Sequence, residues 1–370
     1  MKLKIALVVQ RYGTEVIGGA ERLARLLAEK LSDRHEISVL TTCALDYRTW
    51  ANHFPPGQEW IRGIRVIRWP VKTQRRWTRF GRKSQKLFTR SHSILDEYQW
   101  ILDQGPEVPE LIEFITSNSR NFDLFLFFTY LYYPTFFGFP AVAEKSILMP
   151  AAHDEPPIRL AAFKPLFHLP RFIAFSTEEE REFVHRYFQN SYIPNAVIGI
   201  GVDLQPVSSR DDGYFLYAGR VEKGKGCEEL FEFAGQAAIQ LKVIGQKQIA
   251  VPSHVDYLGY VDEEEKNRLI SGCSAVIVPS KKESLSLAAL EAWAMGKPVI
   301  AAAGSPVLKG HLERSGGGYG YSSLDEFRTI VGSIDPQVGQ AGRDYVEKNY
   351  SWDVVLRKYE DAFSYVKPNA

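Results

Sequence analysis

One continuous apolar run near the start of the chain, with the helix and strand patterns that follow it, constrains the fold more than any other feature. Lys4 to Gln10 (KIALVVQ) and Glu36 to Thr42 (EISVLTT) bracket a stretch from Ala20 to Leu31 in which Leu23, Leu26, Leu27 and Leu31 share one helical face. A strand that is apolar on both faces must be covered on both, which parallel sheets with helices packed on each side provide. A loop holding Gly13, Gly18 and Gly19 links the first run to the helix. This is a βαβ unit, so the N-terminal half is expected to be a doubly wound α/β sheet. Further strands are expected near Arg65–Trp69, Leu124–Phe128, Ser146–Pro150 and Phe172–Ser176.

A chain of 370 residues exceeds one ordinary domain. Residues 190–209 are rich in Pro, Gly and Ser and read as a crossing, after which a second α/β series begins. Strands are expected at Tyr214–Ala218, Gln240–Ile244, Ala275–Pro279 and Val299–Ala302. Helices are expected at Glu228–Ala238, Glu263–Ser271 and Ser286–Met295, the last closed by Gly296 with Pro298 beyond. The boundaries are placed at 1–200 and 201–351, with a long terminal helix over 352–366 returning to brace the first domain. Two such domains facing each other would bring helix N-termini and loops to a common cleft.

The composition narrows the function. With 45% hydrophobic residues and a net charge of +1, the chain is neither disordered nor surrounded by a field that attracts nucleic acid. Cys43, Cys227 and Cys273 fit no disulfide framework or metal knuckle and point to a reducing compartment. The start, Met1 to Gln10, reads as a strand with no secretory leader. The apolar stretch Leu124–Pro140 is interrupted by Pro134 and Gly138, and reads as a strand followed by a docked helix. The expected location is the cytoplasm.

The strongest chemical signal is Pro279 to Pro298, PSKKESLSLAALEAWAMGKP. Glu283 lies at a strand-to-helix turn and Glu291 about two helical turns on. Between them a helix N-terminus offers backbone N–H groups and a favourable dipole to a phosphate. A carboxylate on either side of a bound diphosphate would suit the hydroxyls of a sugar and a ribose. A bare Glu pair at this spacing is usually two solvated helix charges; the strand–turn–helix context weighs against that. A second signal, Ala218 to Gly226 (AGRVEKGKG), sets Arg220, Lys223 and Lys225 on a glycine-rich turn after a strand, where cations can neutralise a diphosphate. A third is Gly18–Arg22 (GGAER), which lacks a full dinucleotide fingerprint. A fourth is His153, followed by Asp154 and Glu155.

These segments resemble the retaining glycosyltransferases of family 4, which have the GT-B fold of two Rossmann-like domains. The family's donor signature, close to P-S-x-x-E-G-F-G-L-x-x-x-E-A-x-A-x-G-x-P-V-I, puts its first Glu on Glu283 and its second on Glu291. The resemblance implies that Glu283 contacts the transferred sugar and Glu291 the ribose, while the amides of Ser284, Leu285, Ser286 and Leu287 hold the diphosphate. The family's Gly-Phe-Gly is Ser284-Leu285-Ser286 here. Its Gly-Arg-x-x-x-x-Lys-Gly falls on Gly219, Arg220, Lys225 and Gly226, implying that Arg220 and Lys225 meet the donor phosphates and that Lys223 is solvated. Its Gly-Gly-x-Glu falls on Gly18, Gly19 and Glu21, although a first-turn Glu is as often a dipole partner. Its N-domain His falls on His153, close to the transferred sugar, with Asp154 and Glu155 as neighbouring alternatives. Ile193–Asp203 and Tyr350–Ala362 match its connector and terminal helix more loosely.

The implied activity is transfer of a hexose from a nucleoside diphosphate, UDP favoured over GDP-mannose, to a hydroxyl of a glycan or lipid-linked saccharide. Anomeric configuration would be retained, with no general base assigned and the leaving phosphate as proton acceptor. Neither a cofactor nor a metal is expected; there is no Asp-x-Asp at a strand end, and Asp211-Asp212 lies in a hydrophilic linker. A sugar-nucleotide epimerase and a non-catalytic sugar-nucleotide-binding subunit are the alternatives. Lys72–Arg90 holds eight basic residues and no acidic ones, interleaved with Trp77, Phe80, Leu87 and Phe88. It suits an anionic membrane surface or a lipid-pyrophosphate acceptor better than nucleic acid, or it is a solvated face.

Overall fold

The computed structural model describes residues 2–367. It divides into two compact units: the chain up to Ile200 together with the segment from Leu356 on, and Gly201–Val355.

The first unit is built on eight strands: β1 (Lys4–Val8), β2 (Glu36–Thr42), β3 (Gly57–Ile61), β4 (Ile64–Trp69), β5 (Leu124–Phe128), β6 (Ser146–Met149), β7 (Phe172–Phe175) and β8 (Asn195–Val197). They lie in the order β3-β4-β2-β1-β5-β6-β7-β8. Every neighbouring pair is parallel except β3 with β4. The central strand β5 (LFLFF) is apolar and buried at every residue, and β1 is so after its first residue, as expected of parallel strands covered on both faces. The core beside them is strongly aromatic, with Trp50, Trp100, Phe125, Phe127, Phe139 and Phe163 fully buried. The Trp50 indole N–H donates to the Gln104 carbonyl at 2.7 Å, so its polar edge is satisfied inside the core.

The helix Trp352–Val366 straddles the division between the units. From Leu356 on it packs against the first unit: the Tyr359 hydroxyl donates to the Gly199 carbonyl at 3.3 Å, and Glu360 lies 3.0 Å from His35. Phe363 meets the His35 ring edge-on.

The second unit holds β9 (Phe215–Ala218), β10 (Leu241–Ile244), β11 (Asp256–Gly259), β12 (Ala275–Val278), β13 (Val299–Ala302) and β14 (Gly318–Tyr321) in the order β11-β10-β9-β12-β13-β14. All are parallel. The chain runs outward from β9 in one direction and from β12 in the other. This reversal is a topological switch point, where the loops leaving the carboxyl ends of two adjacent strands diverge and leave a crevice. The helix Leu287–Ala294, which follows β12, buries Ala289, Leu290, Ala292 and Trp293. Trp293 donates to the Gly317 carbonyl at 2.7 Å, and Gly317 and Gly342 lie so close to its ring that a Cβ on either would overlap it. That packing fixes the helix axis and with it the turn at its N-terminus.

Candidate functional site

The two strongest sequence signals sit at this switch point. Residues 219–226 leave β9 and residues 279–286 leave β12, and the two strands are neighbours in the sheet. The first loop is anchored along its length. Gly219 donates to the Ile244 carbonyl at 3.0 Å and Val221 to the Gln246 carbonyl at 2.9 Å. The Tyr217 hydroxyl donates to the Arg220 carbonyl at 2.7 Å; burial holds that phenol well above its usual range, so it remains a donor. The loop ends at Gly226, whose backbone is left-handed at φ +75° and which lies against the Pro279 carbonyl of the second loop.

The two loops also meet through their charges. The Lys225 ammonium is 2.8 Å from the Glu283 carboxylate, with both side chains largely buried. Arg220 is 3.2 Å from Glu222. Lys223, by contrast, points to solvent and is 3.5 Å from Glu228. Beyond Glu283, Leu285 is buried and Ser286 adopts φ +71°. A glycine would take that conformation without cost, so Ser286, which stands where the resembled signature has glycine, holds it with some strain. Ser286 is also the residue preceding the helix Leu287–Ala294, and no side chain caps it. The first-turn N–H groups are therefore left to water or to an anionic ligand.

One turn into that helix, Glu291 carries a partner that the sequence did not indicate. Lys266, on the helix Glu263–Gly272, places its ammonium 2.8 Å from the Glu291 carboxylate and 2.7 Å from Glu263. Lys266 was missed because it lies outside these motifs and nothing in its local spacing links it to Glu291; Glu222 lies inside the 219–226 motif, but at one of its variable positions, which gives no sign of its pairing with Arg220.

The remaining candidates belong to the first unit. Gly18 precedes the helix Gly19–Ser32, and a Cβ there would lie 2.0 Å from the Glu21 carboxylate. Gly19 opens onto free space. Glu21 itself is buried, accepting from Gln10 at 2.8 Å and from Arg11 at 2.9 and 2.6 Å. Arg11 also donates to the carbonyls of Leu45 and Ile17. This buried network orders the glycine loop, and Glu21 is its internal anchor.

His153 follows β6, with Nε2 3.4 Å from Glu155, and Glu155 accepts the Tyr130 hydroxyl at 2.7 Å. The buried Nδ1 of His153 has no hydrogen-bond partner among the described residues, which marks it as a group awaiting one. Asp154 is exposed and paired with Arg159 at 2.7 Å. The loop holding His153 is tied down by Glu180, whose buried carboxylate accepts the Ala152 and Ser176 amides, each at 2.6 Å. Burial pushes Glu180 up to about 7. All three cysteines are buried and free. Among the described residues no group of three or more His, Cys, Asp or Glu could hold a metal ion. None of the described helices is long and apolar enough to cross a membrane.

Residues 205–314, which include both switch-point loops and Glu291, match the family model described as glycosyl transferases group 1. An uncharacterised glycosyltransferase of Methanocaldococcus jannaschii is 28% identical over 134 residues, covering 32% of this chain and 38% of that protein. The architecture is similar to that of sucrose-phosphate synthase from Thermosynechococcus elongatus, with a TM-score of 0.72 and 16% identity over 98% of both chains. It is similar as well to Anabaena HepE in complex with UDP and glucose, with a TM-score of 0.70 and 15% identity over 98% of this chain and 99% of that one. The fold is GT-B.

Proposed function

We propose that this GT-B chain, matched to group 1 glycosyltransferases over residues 205–314, moves a hexose from a nucleoside diphosphate, UDP favoured, to a hydroxyl of a glycan or lipid-linked saccharide with retention of configuration. The observation that carries the reading is the convergence of the 219–226 and 279–286 loops at the β9/β12 switch point, joined by the Lys225–Glu283 pair at 2.8 Å. HepE, whose complexes hold UDP, UDP with glucose, and UDP-glucose, supports the choice of base.

In this reading Arg220, Lys225 and the amides of Ser284, Leu285, Ser286 and Leu287 take the diphosphate, Glu291 takes the ribose hydroxyls, and Glu283 takes the hexose. Lys225 exchanges one anion for another when donor binds, leaving the Glu283 carboxylate to accept from sugar hydroxyls. As the bond from C1 to the diphosphate breaks, charge grows on the leaving oxygen. Arg220, Lys225 and the uncapped first-turn amides are fixed donors for that charge and need little reorganisation. The acceptor oxygen bonds C1 on the same face, and its proton passes to the departing diphosphate. His153, with its orphaned Nδ1, serves as a hydrogen-bonding group for the transferred sugar; Gly18 and Gly19 allow close backbone approach.

The protein is proposed to work in the cytoplasm, held to an anionic membrane surface by the helix Trp77–Thr89 and its flanks. Arg76, Arg79, Arg82, Lys86 and Arg90 recur at three- and four-residue spacing along the helix and its two caps and are all exposed, whereas Leu87 is buried. The next helix then begins with exposed Ile94, Leu95 and Tyr98. Basic residues beside exposed apolar ones suit an anionic lipid interface.

A turnover and thermal-shift screen against UDP- and GDP-sugars, with and without Mg²⁺, tests the reading. One nucleotide should stabilise the protein, by roughly 2.7 kcal/mol at a hundredfold excess over Kd. Glu291→Ala and Arg220→Ala should both abolish the shift. A well-folded protein that no sugar nucleotide shifts at millimolar concentration refutes the donor site. Conversion of the donor without any acceptor would favour the epimerase instead.

A further inference from the structure

Lys266 lies outside the loop motifs and the Glu283–Glu291 signature, yet it is more buried than the carboxylate it meets: the two side chains are 12% and 16% exposed and 2.8 Å apart. A lysine on a surface helix ordinarily keeps its ammonium in water, because desolvating the charge costs more than an exposed ion pair returns. Here the largely buried Glu291 accepts from it and the exposed Glu263 lies 2.7 Å away, so the charge is compensated from both sides.

That arrangement acts on Glu291 in two ways. The ammonium at hydrogen-bond distance takes one of the carboxylate's acceptor sites and leaves the others for donors from a ligand. It also pins a side chain with three rotatable bonds, whose ordering entropy a ligand would otherwise have to offset on binding. A carboxylate immobilised in this way is selective for hydroxyl donors placed to meet it. A ligand lacking the matching hydroxyl would leave a desolvated charge short of one hydrogen bond.

We infer that Lys266 is a positioning residue that holds Glu291 for the ribose hydroxyls and thereby sets the preference for ribonucleotide over 2′-deoxyribonucleotide donors. The inference rests on the donor-site reading above and adds a residue and a selectivity to it.

The test is calorimetric binding of UDP, 2′-deoxy-UDP, GDP and 2′-deoxy-GDP to the full chain, to Lys266→Met, to Lys266→Arg and to Glu291→Gln. The wild type should bind the preferred ribonucleotide at least roughly tenfold more tightly than its 2′-deoxy analogue, as expected when a charged acceptor loses its donor. Lys266→Met should weaken the ribonucleotide by a similar factor and leave the deoxy analogue nearly unchanged, so that the ratio collapses. Lys266→Arg should restore most of it. With a sugar donor, KM should rise while kcat stays within about twofold, since the contact is alike in ground and transition states. A merely structural lysine would weaken both nucleotides equally and lower the melting temperature; that result overturns the inference, as does an unchanged ratio in Lys266→Met. Should Lys266→Met fail to fold, Lys266→Gln carries the same comparison. Wild-type protein that binds none of the four nucleotides fails at the donor site itself, an outcome distinct from wild-type binding without Lys266 dependence.

Discussion

Replacing Gly226 by alanine tests the junction on which the donor site depends. Gly226 ends the short 3₁₀ turn Lys223–Lys225 and precedes the helix Cys227–Gln236, with φ at +75°. A Cβ built there would lie 2.4 Å from the Pro279 carbonyl oxygen and 3.0 Å from its carbon. Both are backbone atoms, and no side-chain rotation can relieve the overlap. Holding a non-glycine residue in the left-handed region costs about 1–2 kcal/mol, and forcing packed elements apart typically costs about 1–3 kcal/mol more. The expected loss is thus roughly 2–5 kcal/mol. For a unit of this size each kcal/mol lowers Tm by about 2–4 °C, so the drop should be roughly 4–20 °C. Gly224, two residues earlier, is the internal control: a Cβ there meets nothing within 4 Å. Gly224→Ala should leave stability within about 1 kcal/mol of wild type. Scanning calorimetry is the assay, read for two transitions because the chain has two units. The loop that carries Arg220 and Lys225 should also lift from Pro279, raising the donor KM. If Gly226→Ala melts with Gly224→Ala and the wild type, the two loops are not locked together as described.

Burial holds Glu180 at about 7, above the 4.5 of an ordinary glutamate. Between those values the native state keeps a proton that the unfolded chain has released. Stability should therefore fall as pH rises through that window, by up to roughly 3 kcal/mol. Glu180→Gln should remove this component from denaturant-measured stability across the window, and an unchanged slope would refute the assignment. Ser286→Val, forcing a β-branched residue to φ +71°, should lose at least about 1 kcal/mol and weaken nucleotide binding, whereas Ser286→Gly should keep both; equal behaviour of the two variants in melting and titration would show that this backbone is not required. Reversing charge at Arg79 and Lys86 should abolish salt-sensitive flotation with phosphatidylglycerol vesicles, and Leu95→Ser should reduce the binding that persists in high salt; flotation unaffected by either change would remove this surface as the membrane contact.

The elements legible in the sequence are those whose cause is local. The runs that became β1, β5 and β12 are continuous because both faces of each strand are covered. In the helix Gly19–Ser32 the expected Leu27 and Leu31 are buried, while Leu23 and Leu26 are only half-buried because the stripe is completed by Glu21, Ala24 and Ala28 instead; Gly296 takes the positive φ expected after a helix end. The antiparallel edge strand β3 was not visible, since its residues are half-exposed and mixed in character. The helices between Ile94 and Ser117, and β8, β11 and β14, were not anticipated either. They are short or only partly buried, so their sequences carry little periodicity. Glu21 could be read from sequence as a ligand or as a dipole partner, and only packing shows it buried against Arg11.

The candidate site divides in the same way. The identities of Gly219, Arg220, Lys225, Glu283 and Glu291 are set by motifs along the chain. Strand order decides that the loops leaving β9 and β12 emerge side by side, which joins Lys225 to Glu283 across 58 residues. Helix packing decides that Lys266 reaches Glu291 across 25 residues. Backbone conformation and hydrophobic periodicity are properties of neighbours in sequence, and a chain displays them residue by residue. The pairing of charges between loops depends on how strands are ordered and helices docked, and these are settled by burial of the whole core.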